Sequence, residues 1–415
     1  MTRRSKLEPR IALLCSAVLA LPPTSLWSAP ATAGAAIPTA LSRLQTSSQE
    51  ALDKTDQSIA AAAKKLAAVP DLKSDAAKQI LLELHKSCPF SIDCCAISPE
   101  GIMLAIEPET FKRFEGSDIS KQDVVSRLLK TRAPAMGGQF KTVEGILAVD
   151  IEHPIMTDDG KFRGAVSMIF QPHVLLGKTI PPLIKGLPVE VWAMQRDGLI
   201  IYDADSGEIG RMLFTDALYA PFTELLHLGK RISAEPAGFG FYAFFKTGTK
   251  EKVNKETWWA SVGLHGTEWR LVQTHTSGIA QQKDLAPAGA PAGRDALNEL
   301  AGNADLAKAL AGNDRESAMS LFKAFAMSHS GVYSVSWIDG KSISRFGYPP
   351  ENSLSDFDLN TDPSNSGAQC VKSIREKKER SFEDMLIEGG RARFTIVPVH
   401  GGGVFLGGLL LIQRL

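Results

Sequence analysis

Three short hairpins spread along the chain decide the fold. Residues 94–108 read CCAISPEGIMLAIEP, residues 189–203 read VEVWAMQRDGLIIYD, and residues 332–347 read VYSVSWIDGKSISRFG. Each is a strand-forming run, a glycine turn and a second strand-forming run, and the turn glycines are Gly101, Gly198 and Gly340. Asp-Gly in the second and third copies is a strong hairpin signal because glycine tolerates positive φ. The sequence therefore predicts a unit that occurs three times.

Each unit ends in a second pair of strand-forming runs. These closing pairs occupy residues 145–172, 256–275 and 389–413, and each contains a glycine turn near its middle. A hairpin, a helical or irregular middle and a second hairpin, in about 85 to 90 residues, predict a small antiparallel sheet with helices on one face.

Proline and glycine align the first and third closing pairs. Gly164 follows Pro154 by ten residues, and Gly408 follows Pro398 by the same interval. Proline stands near strand edges or ends because it cannot donate to the hydrogen-bond ladder. The match supports a repeated unit in which Gly164 and Gly408 occupy equivalent positions.

A long amphipathic helix is predicted before the first unit. Leu52, Ile59 and Leu66 recur every seven residues within 41–69, and Pro70 ends the pattern. A second helical stretch follows at about residues 73–86. The apolar stripe must be buried, either on the chain's own domain or in an inter-chain coiled coil. We favour the first because the heptad pattern is short.

The amino terminus has the pattern of a secretory signal peptide. Four basic residues precede an apolar run at 11–21 and a small-residue tract. About 20 apolar residues are needed to span a bilayer, so this run is too short to be a membrane helix. We expect cleavage after Ala33, at an Ala-x-Ala site. A lipid anchor at Cys15 is discounted because Leu14 stands where a small residue is required. The mature chain is expected to be periplasmic or secreted, without a transmembrane segment.

Composition excludes some classes of partner. Lys+Arg and Asp+Glu both number 46, which gives a formal net charge of zero. A balanced charge offers no broad basic surface, so nucleic acid is not expected as a partner. Hydrophobic residues at 44% and charged residues at 22% are typical of folded domains.

The predicted organisation follows from these signals and from the linker APAGAPAG at residues 286–293. The expected segments are a signal peptide (1–33), N-terminal helices (34–87), a distal module (88–185), a proximal module (186–280), a Pro/Gly/Ala linker (281–294) and a C-terminal module (295–415). In an oxidising compartment Cys88 is a candidate for a disulfide with Cys94 or Cys95, whereas Cys370 is expected to stay free.

The order of a long exported helix and two sheet modules resembles the double Cache extracytoplasmic sensor domain, a PAS-like family. The resemblance covers residues 41–275. It rests on AVDIEHPIMTDDGKFRGAV at 148–166, RDGLIIYD at 196–203 and HGTEWRLV at 265–272. Residues 295–415 resemble a further single Cache-type module.

The resemblance implies an α+β fold of three PAS-like modules, with antiparallel sheets flanked by helices and the long helix in front. It also implies that a small molecule binds in the distal module, between sheet and helices. Members recognise amino acids, other carboxylates or amines and signal through a membrane helix to a kinase or chemotaxis module. Because we expect neither that helix nor an output domain here, a membrane receptor or transporter is the expected partner.

The residue pattern of the amino-acid-binding members is absent. Those members carry an Arg-x-Trp-Tyr-like stretch, whereas residues 121–140 contain neither Trp nor Tyr. Phe140 and Thr142 stand where the family has Tyr and Asp. An α-amino acid is therefore not the predicted ligand.

Polar residues inside predicted strands supply the candidate ligand contacts. Asp150 and Glu152 share one face of a strand, by the period of two. An acid among apolar neighbours is either a ligand contact or a solvent-facing position, and we favour the exposed position. If the family placement holds, a distal pocket is lined by Arg132, Phe140, Thr142, Asp150, His153, Phe170 and Gln171.

The C-terminal module carries a second candidate cluster. Tyr333, Trp337, Arg345 and Tyr348 place an arginine among aromatic residues. Such a group suits a carboxylate, through bidentate hydrogen bonds and ring walls that exclude water. The alternative is a half-exposed core edge with an arginine whose stem is buried. The two interpretations are left open.

Catalytic and metal motifs are not supported. HGGG at residues 400–403 resembles an esterase oxyanion loop, but no GxSxG nucleophile motif occurs and the stretch coincides with a predicted hairpin turn. The eight histidines form no HExxH motif, and DADSG at 203–207 lacks the remaining ligands of a calcium loop. No P-loop motif is present. We predict no enzyme activity, no metal site and no cofactor.

The resulting hypothesis is an exported, sensor-type binding protein. It would bind a small metabolite such as a carboxylate or an amine and present it to a membrane partner. The alternative is a protein–protein interaction module without a ligand, whose long helix docks a partner. A hydrolase is the third hypothesis.

Overall fold

Residues 37–276 and 291–415 are described by the computed structural model. The predicted signal peptide (1–33) and residues 281–290 of the predicted linker lie outside these residues. Within them, no helix combines the length and the apolar character needed to cross a membrane.

The long predicted helix is present as α1, Thr39–Ala67, and measures about 43 Å at 1.5 Å per residue. Its buried stripe contains Leu52, Ile59 and Leu66, at the predicted spacing. The stripe packs on the first two sheets of the same chain, as we expected. The second predicted helix is α2, Asp75–Ser87, whose first turn is capped by the side chain of Ser74.

The first sheet has six strands. One helix lies between its second and third strands, and another follows its last strand. The strands are β1 Ser91–Ile97, β2 Met103–Glu107, β3 Ala135–Met136, β4 Phe140–Lys141, β5 Leu147–Met156 and β6 Phe162–Phe170. Their order is β2-β1-β6-β5-β3, with β4 paired to β5. Helix α3 is Asp123–Thr131 and helix α4 is Pro172–Ile184. The core between α1 and this sheet is apolar, and α3 covers the opposite face.

The second sheet has five strands in the order β8-β7-β11-β10-β9. The strands are β7 Glu190–Gln195, β8 Ile200–Tyr202, β9 Ala237–Phe245, β10 Lys252–Leu264 and β11 Thr267–Thr276. One face shares the apolar core of α1 with the first sheet. The other face is covered by α5, Thr223–Ala234.

The third sheet has six strands in the order β14-β13-β12-β17-β16-β15. The strands are β12 Ser334–Ile338, β13 Ile343–Tyr348, β14 Phe357–Asp358, β15 Arg380–Met385, β16 Arg391–Gly401 and β17 Val404–Arg414. Helices α6 Arg294–Ala301, α7 Ala304–Ala311 and α8 Arg315–Ser328 cover one face. Helix α9, Asn365–Glu376, covers the other.

The repeated unit predicted from the hairpins is present in each sheet. The first strand of each opening hairpin pairs with the last strand of its closing hairpin: β1 with β6, β7 with β11, and β12 with β17. The described strands thus form three separate antiparallel sheets, and the predicted α+β class is confirmed. Helices cover both faces of each sheet, whereas the sequence predicted them on one face. The module boundaries stay predictions.

The glycine equivalence predicted from the sequence is wrong by one residue. Pro154 pairs with Ala165 and Pro398 pairs with Gly408, so Gly408 is equivalent to Ala165. The true counterpart of Gly164 is Gly407. Both have φ near +120°, at 121° and 124°, and both lie against the carbonyl oxygen of the last residue of their opening strand.

The predicted disulfide is also wrong. Cys88, Cys94 and Cys95 are buried free thiols, as is Cys370. Cys94 and Cys95 are consecutive strand residues and therefore point to opposite faces of the first sheet. Cys94 belongs to the core beneath α1 with Cys88, and Cys95 to the core beneath α3.

Candidate functional site

Three buried carboxyl groups lie on the α3 side of the first sheet. Asp93, Asp150 and Glu152 are 1%, 2% and 0% exposed. The expectation that Asp150 and Glu152 face solvent is therefore wrong, because β4 and α3 cover this face of β5. The hydroxyl of Ser167 donates to Asp150 at 2.6 Å. Neither oxygen of Glu152 has a hydrogen-bond partner within the described chain.

Burial dominates the protonation of these groups. It raises the pKa of Asp150 to about 7 and the pKa of Glu152 well above its usual range, and the neighbouring carboxyls raise the pKa of Glu152 further. Burial and the nearby Glu144 and Asp150 likewise raise the pKa of Asp93. Burial therefore favours the neutral acid form of all three side chains.

The cavity beside these acids is very small. Phe140, Thr142 and Asp150 line it, as the sequence predicted, but its volume is only about 20 Å³. A space of that size holds about one water molecule. The first sheet therefore brings three of the predicted ligand residues together without leaving room for a metabolite.

Replacing Asp150 with asparagine should stabilise the protein at high pH. The folded state binds a proton at Asp150 more strongly than the unfolded chain does, so this group lowers stability as pH rises from about 4 to about 7. Asparagine stays neutral and keeps an acceptor for Ser167. We expect the free energy of unfolding of Asp150→Asn to exceed the wild-type value by about 1–3 kcal/mol at pH 8, with the excess vanishing near pH 4. Urea denaturation across this pH range measures it.

The control is Asp158→Asn, because Asp158 is exposed in the turn between β5 and β6. It should change stability little at any pH. A constant difference between Asp150→Asn and wild type from pH 4 to pH 8 would contradict the assignment of a raised pKa to Asp150.

The remaining predicted distal residues do not line that cavity. His153 and Phe170 lie on the α1 face of the sheet, opposite Asp150, because strand side chains alternate. Arg132 is exposed at the end of α3, with its guanidinium 5.4 Å from the ring centroid of Phe162. Gln171 is the N-cap residue of α4. The predicted pocket of seven residues is thus not assembled.

His153 instead belongs to a cluster that the sequence did not reveal. Its Nε2 lies 2.7 Å from Oδ1 of Asp56, in α1, and the Nε2 of His265 lies 2.7 Å from the same oxygen. Burial alone would raise the pKa of Asp56, but the two histidine contacts outweigh it and hold that pKa below its usual value. These residues lie 97 and 209 positions from Asp56, so no local motif signals their contact.

The candidate cluster in the C-terminal module is not assembled either. Arg345 is occupied by ion pairs to Asp339 and Asp356, at 2.7 and 3.2 Å. Trp337 packs on Phe346, in the core beneath α8 with Tyr348. Tyr333 lies in the other core of the third sheet and donates to Glu388 at 3.1 Å. Of the two interpretations, the structure favours a core edge.

A second cavity, larger than the one beside the buried acids, lies in the second sheet, and the sequence did not predict it. A cavity of about 290 Å³ lies between the sheet, α5 and the segment that follows β8. Five aromatic side chains contribute to its walls: Trp192, Tyr219, Tyr242, Phe244 and Phe245. This volume is near the lower end of the range for small-molecule sites.

Two carboxyl groups, Asp203 and Glu208, are acidic side chains in the wall of this cavity. Burial raises the pKa of Asp203 to about 7, with Glu208 adding to the effect. Burial also raises the pKa of Glu208, which accepts a hydrogen bond from the Tyr219 hydroxyl at 2.9 Å. Of the cations lining the cavity, Lys255 is paired with Glu190 at 2.5 Å and Arg211 with Asp216 at 2.9 Å. Lys255 still lowers the pKa of both Asp203 and Glu208, and Arg211 lowers that of Glu208, but neither acid has an ion pair of its own within the described residues.

Two lysines stand at the rim. Lys246 and Lys250 are exposed in the turn between β9 and β10. Exposed charges are screened by salt and water, so their influence on the interior is small. The stretch DADSG at 203–207, which the sequence predicted as a surface turn, forms part of the cavity wall through Asp203, Asp205 and Gly207.

The HGGG stretch is the turn between β16 and β17, as predicted. His400 and Gly401 still belong to the ladder, paired with Phe405 and Val404. The imidazole of His400 packs on the Phe405 ring, with centroids 5.5 Å apart. This geometry offers no oxyanion site.

Residues 50–172, which contain most of α1 and the whole first sheet, match a family model described as HK/GC/Chemotaxis protein-like, sensor domain. This segment is similar to the sensor domains that the model describes. The predicted resemblance to extracytoplasmic sensor domains is confirmed over these residues, and the mixed α/β architecture agrees with it. The additional C-terminal Cache-type module stays a prediction.

Several solved structures are similar to this chain. An extracellular ligand binding receptor from Desulfohalobium retbaense is 30% identical over 57% of this chain, with a TM-score of 0.48, and the match covers 39% of that receptor. The sensory domain of the Campylobacter jejuni chemoreceptor Tlp3, with isoleucine bound, is 14% identical over 58% of this chain and 91% of its own, with a TM-score of 0.42. The ligand-binding domain of the Pseudomonas fluorescens chemoreceptor CtaA, with L-serine, is 13% identical over 56% of this chain and 92% of its own, with a TM-score of 0.39. No curated protein sequence matches.

Proposed function

We propose that this chain is a sensor-type binding protein that acts outside the cytoplasm and holds a small amine in the cavity of its second sheet. The observation that carries the proposal is a cavity of about 290 Å³, lined by five aromatic side chains, whose carboxyl groups Asp203 and Glu208 have raised pKa values and no ion pair within the described residues. A ligand ammonium group would supply the missing charge.

The aromatic walls fit the same ligand class. Rings of Trp and Tyr attract a cation through their negative faces, by roughly 0.5–2 kcal/mol for each well-placed contact. Trp192 and Tyr242 are buried and line the cavity together with Tyr219. A carboxylate ligand, in contrast, would meet the acids Asp203, Asp205 and Glu208. Of the two classes in the sequence hypothesis, the cavity favours the amine.

The proposed site is in the proximal module rather than the distal one. The family resemblance implies distal binding, but the distal cavity holds only about 20 Å³ and the proximal one about 290 Å³. Among the predicted distal contacts, Phe140, Thr142 and Asp150 stay candidates for a second, smaller ligand. We propose periplasmic or secreted localisation and a membrane receptor or transporter as the partner that reads the ligand state.

The other two hypotheses lose their main supports. The interaction hypothesis relied on a long helix free to dock a partner, whereas the apolar stripe of α1 is buried on two sheets of its own chain. The hydrolase hypothesis relied on HGGG, which is a hairpin turn. We therefore propose ligand binding without catalysis.

Amine binding should appear as a thermal shift that depends on two acids. Ethanolamine, putrescine and choline are screened against acetate and succinate, each with EDTA present. We expect at least one amine to raise Tm, since a ligand that binds only the folded state stabilises it. Glu208→Gln and Asp203→Asn should each weaken binding by about tenfold or more, because each removes a carboxylate facing the ammonium. Isothermal titration calorimetry measures the affinities.

The matched control is Glu224→Gln, because Glu224 is exposed on α5 outside the cavity. The Glu224→Gln variant should bind the amine with the same affinity as the wild type. The pKa of Asp203 adds a second test: amine affinity should rise from pH 6 to pH 8, as Asp203 ionises while the amine stays protonated. Binding of acetate or succinate but of no amine, or amine binding unchanged in both acid variants, would refute the proposal.

A further inference from the structure

Three metal-ligating side chains converge on one point between α1 and the first two sheets. They are Asp56, His153 and His265, and one ligand atom from each lies within 4.8 Å of the other two. Both Nε2 atoms lie 2.7 Å from Oδ1 of Asp56. The imidazole rings are 5.7 Å apart and nearly perpendicular, at 80°. The two nitrogens and the oxygen are therefore close enough together to bind one ion.

Each ligand comes from a different element, and the fold fixes each one. Asp56 is in the interior of α1. His153 is on the α1 face of β5, one of the central strands of the first sheet. His265 occupies the two-residue turn between β10 and β11, with Gly266, at a φ of +50°. The cluster thus joins one helix to two sheets.

We propose that Asp56, His153 and His265 form a binding site for a single divalent transition-metal ion, with Zn²⁺ as the ion best suited to it. Two imidazoles and one carboxylate are ligands that Zn²⁺ takes at about 2.0–2.2 Å, with a water or another group in the fourth position. Tetrahedral ligands at those distances lie about 3.3 Å apart. The present 2.7 Å contacts would therefore need to open by only a few tenths of an ångström.

The site is accessible from solvent on one side. The side chain of His153 is 11% exposed, that of Asp56 is 19% exposed and that of His265 is 22% exposed. This opening gives the ion a route in and leaves room for a water ligand. Two of the ligands lie on a helix and a strand, and the third lies on a surface turn. The site is therefore nearly formed before the ion binds, which reduces the entropy lost in ordering the ligand side chains.

This site is independent of the amine cavity, because none of its three ligands lines that cavity. Its effect would be to tie α1, the first sheet and the second sheet together through one ion. The ion would link the two sheets mechanically, whereas the proposed amine would occupy the second sheet alone. Amine binding in EDTA and metal binding without an amine test the two separately.

The experiment is Zn²⁺ titration of tag-free protein after EDTA treatment and dialysis, followed by calorimetry. We expect one Zn²⁺ per chain with a micromolar or tighter Kd. Co²⁺ in place of Zn²⁺ should give the visible absorption of a nitrogen- and oxygen-ligated ion. His265→Asn and His153→Gln should each weaken Zn²⁺ binding by at least about tenfold. Asparagine is chosen at 265 because it tolerates the left-handed backbone of the turn.

His227→Asn is the control, because His227 is exposed on α5 away from the site. It should bind Zn²⁺ like the wild type, and circular dichroism should show all three variants folded. Saturable binding that is lost in His265→Asn and His153→Gln but kept in His227→Asn establishes the site. Equal affinity in His265→Asn and wild type, equal loss in all three variants, or no saturable binding by the wild type would overturn it.

Discussion

Gly164→Ala is expected to destabilise the first sheet by about 3–5 kcal/mol, from backbone strain together with an overpacked contact. An added Cβ at this position would lie 1.9 Å from the carbonyl oxygen of Ile97, a distance that no relaxed structure allows. The φ of Gly164 is +121°, which is strongly unfavourable for alanine. Because the clashing atom belongs to the backbone of a central strand, no side chain can move aside to relieve it.

The matched control is Gly160→Ala in the β5–β6 turn. Gly160 also has a positive φ, of +80°, but its added Cβ would meet nothing within 4 Å. That variant should lose only about 1 kcal/mol, the usual cost of the left-handed conformation. Urea denaturation followed by circular dichroism measures both. Equal losses in the two variants would show that the contact with Ile97 contributes nothing.

The third sheet repeats the same arrangement at Gly407. Its φ is +124°, and an added Cβ would lie 2.1 Å from the carbonyl oxygen of Ile338. Gly407→Ala should therefore lose a similar amount, whereas Gly402→Ala, where nothing lies within 4 Å, should lose about 1 kcal/mol. If Gly407→Ala lost much less free energy of unfolding than Gly164→Ala, the two sheets would tolerate this contact differently.

Arg414→Met is expected to cost about 3–5 kcal/mol, because it leaves a buried carboxylate without its cation. The Arg414 guanidinium makes two contacts with Glu256, at 2.5 and 2.7 Å, and Glu256 is 3% exposed. Arg414 also donates to the carbonyl of Gly389 and lies 4.8 Å from the centroid of Tyr333. This pair connects β10 of the second sheet to β17 of the third.

The double variant Glu256→Gln with Arg414→Met separates charge from packing. Because it removes both charges, it should recover a large part of the loss seen in Arg414→Met alone. Arg391→Met serves as the control, since Arg391 is 70% exposed and its contact with Glu383 is 3.8 Å long. It should change the free energy of unfolding by less than about 0.5 kcal/mol. A double variant no more stable than Arg414→Met would show that packing, and not the unpaired acid, causes the loss.

Local signals in the sequence were sufficient for the opening and closing hairpins and for the N-terminal helices, but not for strands such as β9 and β15. The glycine turns located the opening and closing hairpins, and Pro70 located the end of the first helix, because these residues act on the backbone where they stand. The pairing of opening with closing hairpins followed from their repetition. The equivalence of Gly164 with Gly408 failed by one residue because Pro154 and its partner Ala165 are one residue further apart in sequence than Pro398 and its partner Gly408.

The positions of the candidate sites could not be predicted from the sequence, because they depend on long-range contacts that the hydrophobic periodicity does not reveal. A period of two showed that Asp150 and Glu152 share a face, but not that β4 and α3 cover it. The same period separates His153 from Asp150, which the predicted pocket had combined. Asp56 and His265 meet across 209 positions, and the acids of the second-sheet cavity converge only once α5 and the 203–219 segment have packed. Long-range packing of this kind cannot be predicted from local sequence patterns.

Helix α1 contacts the first and second sheets along its length, and these contacts fix its position along its own axis. Gln49 exchanges two hydrogen bonds with the backbone of Gly263 in β10, and two turns further on Asp56 contacts both His153 and His265. A slide of the helix by one residue, about 1.5 Å, would break both sets of contacts together. A force that displaces α1 from the first sheet would therefore also act on its contacts with the second sheet.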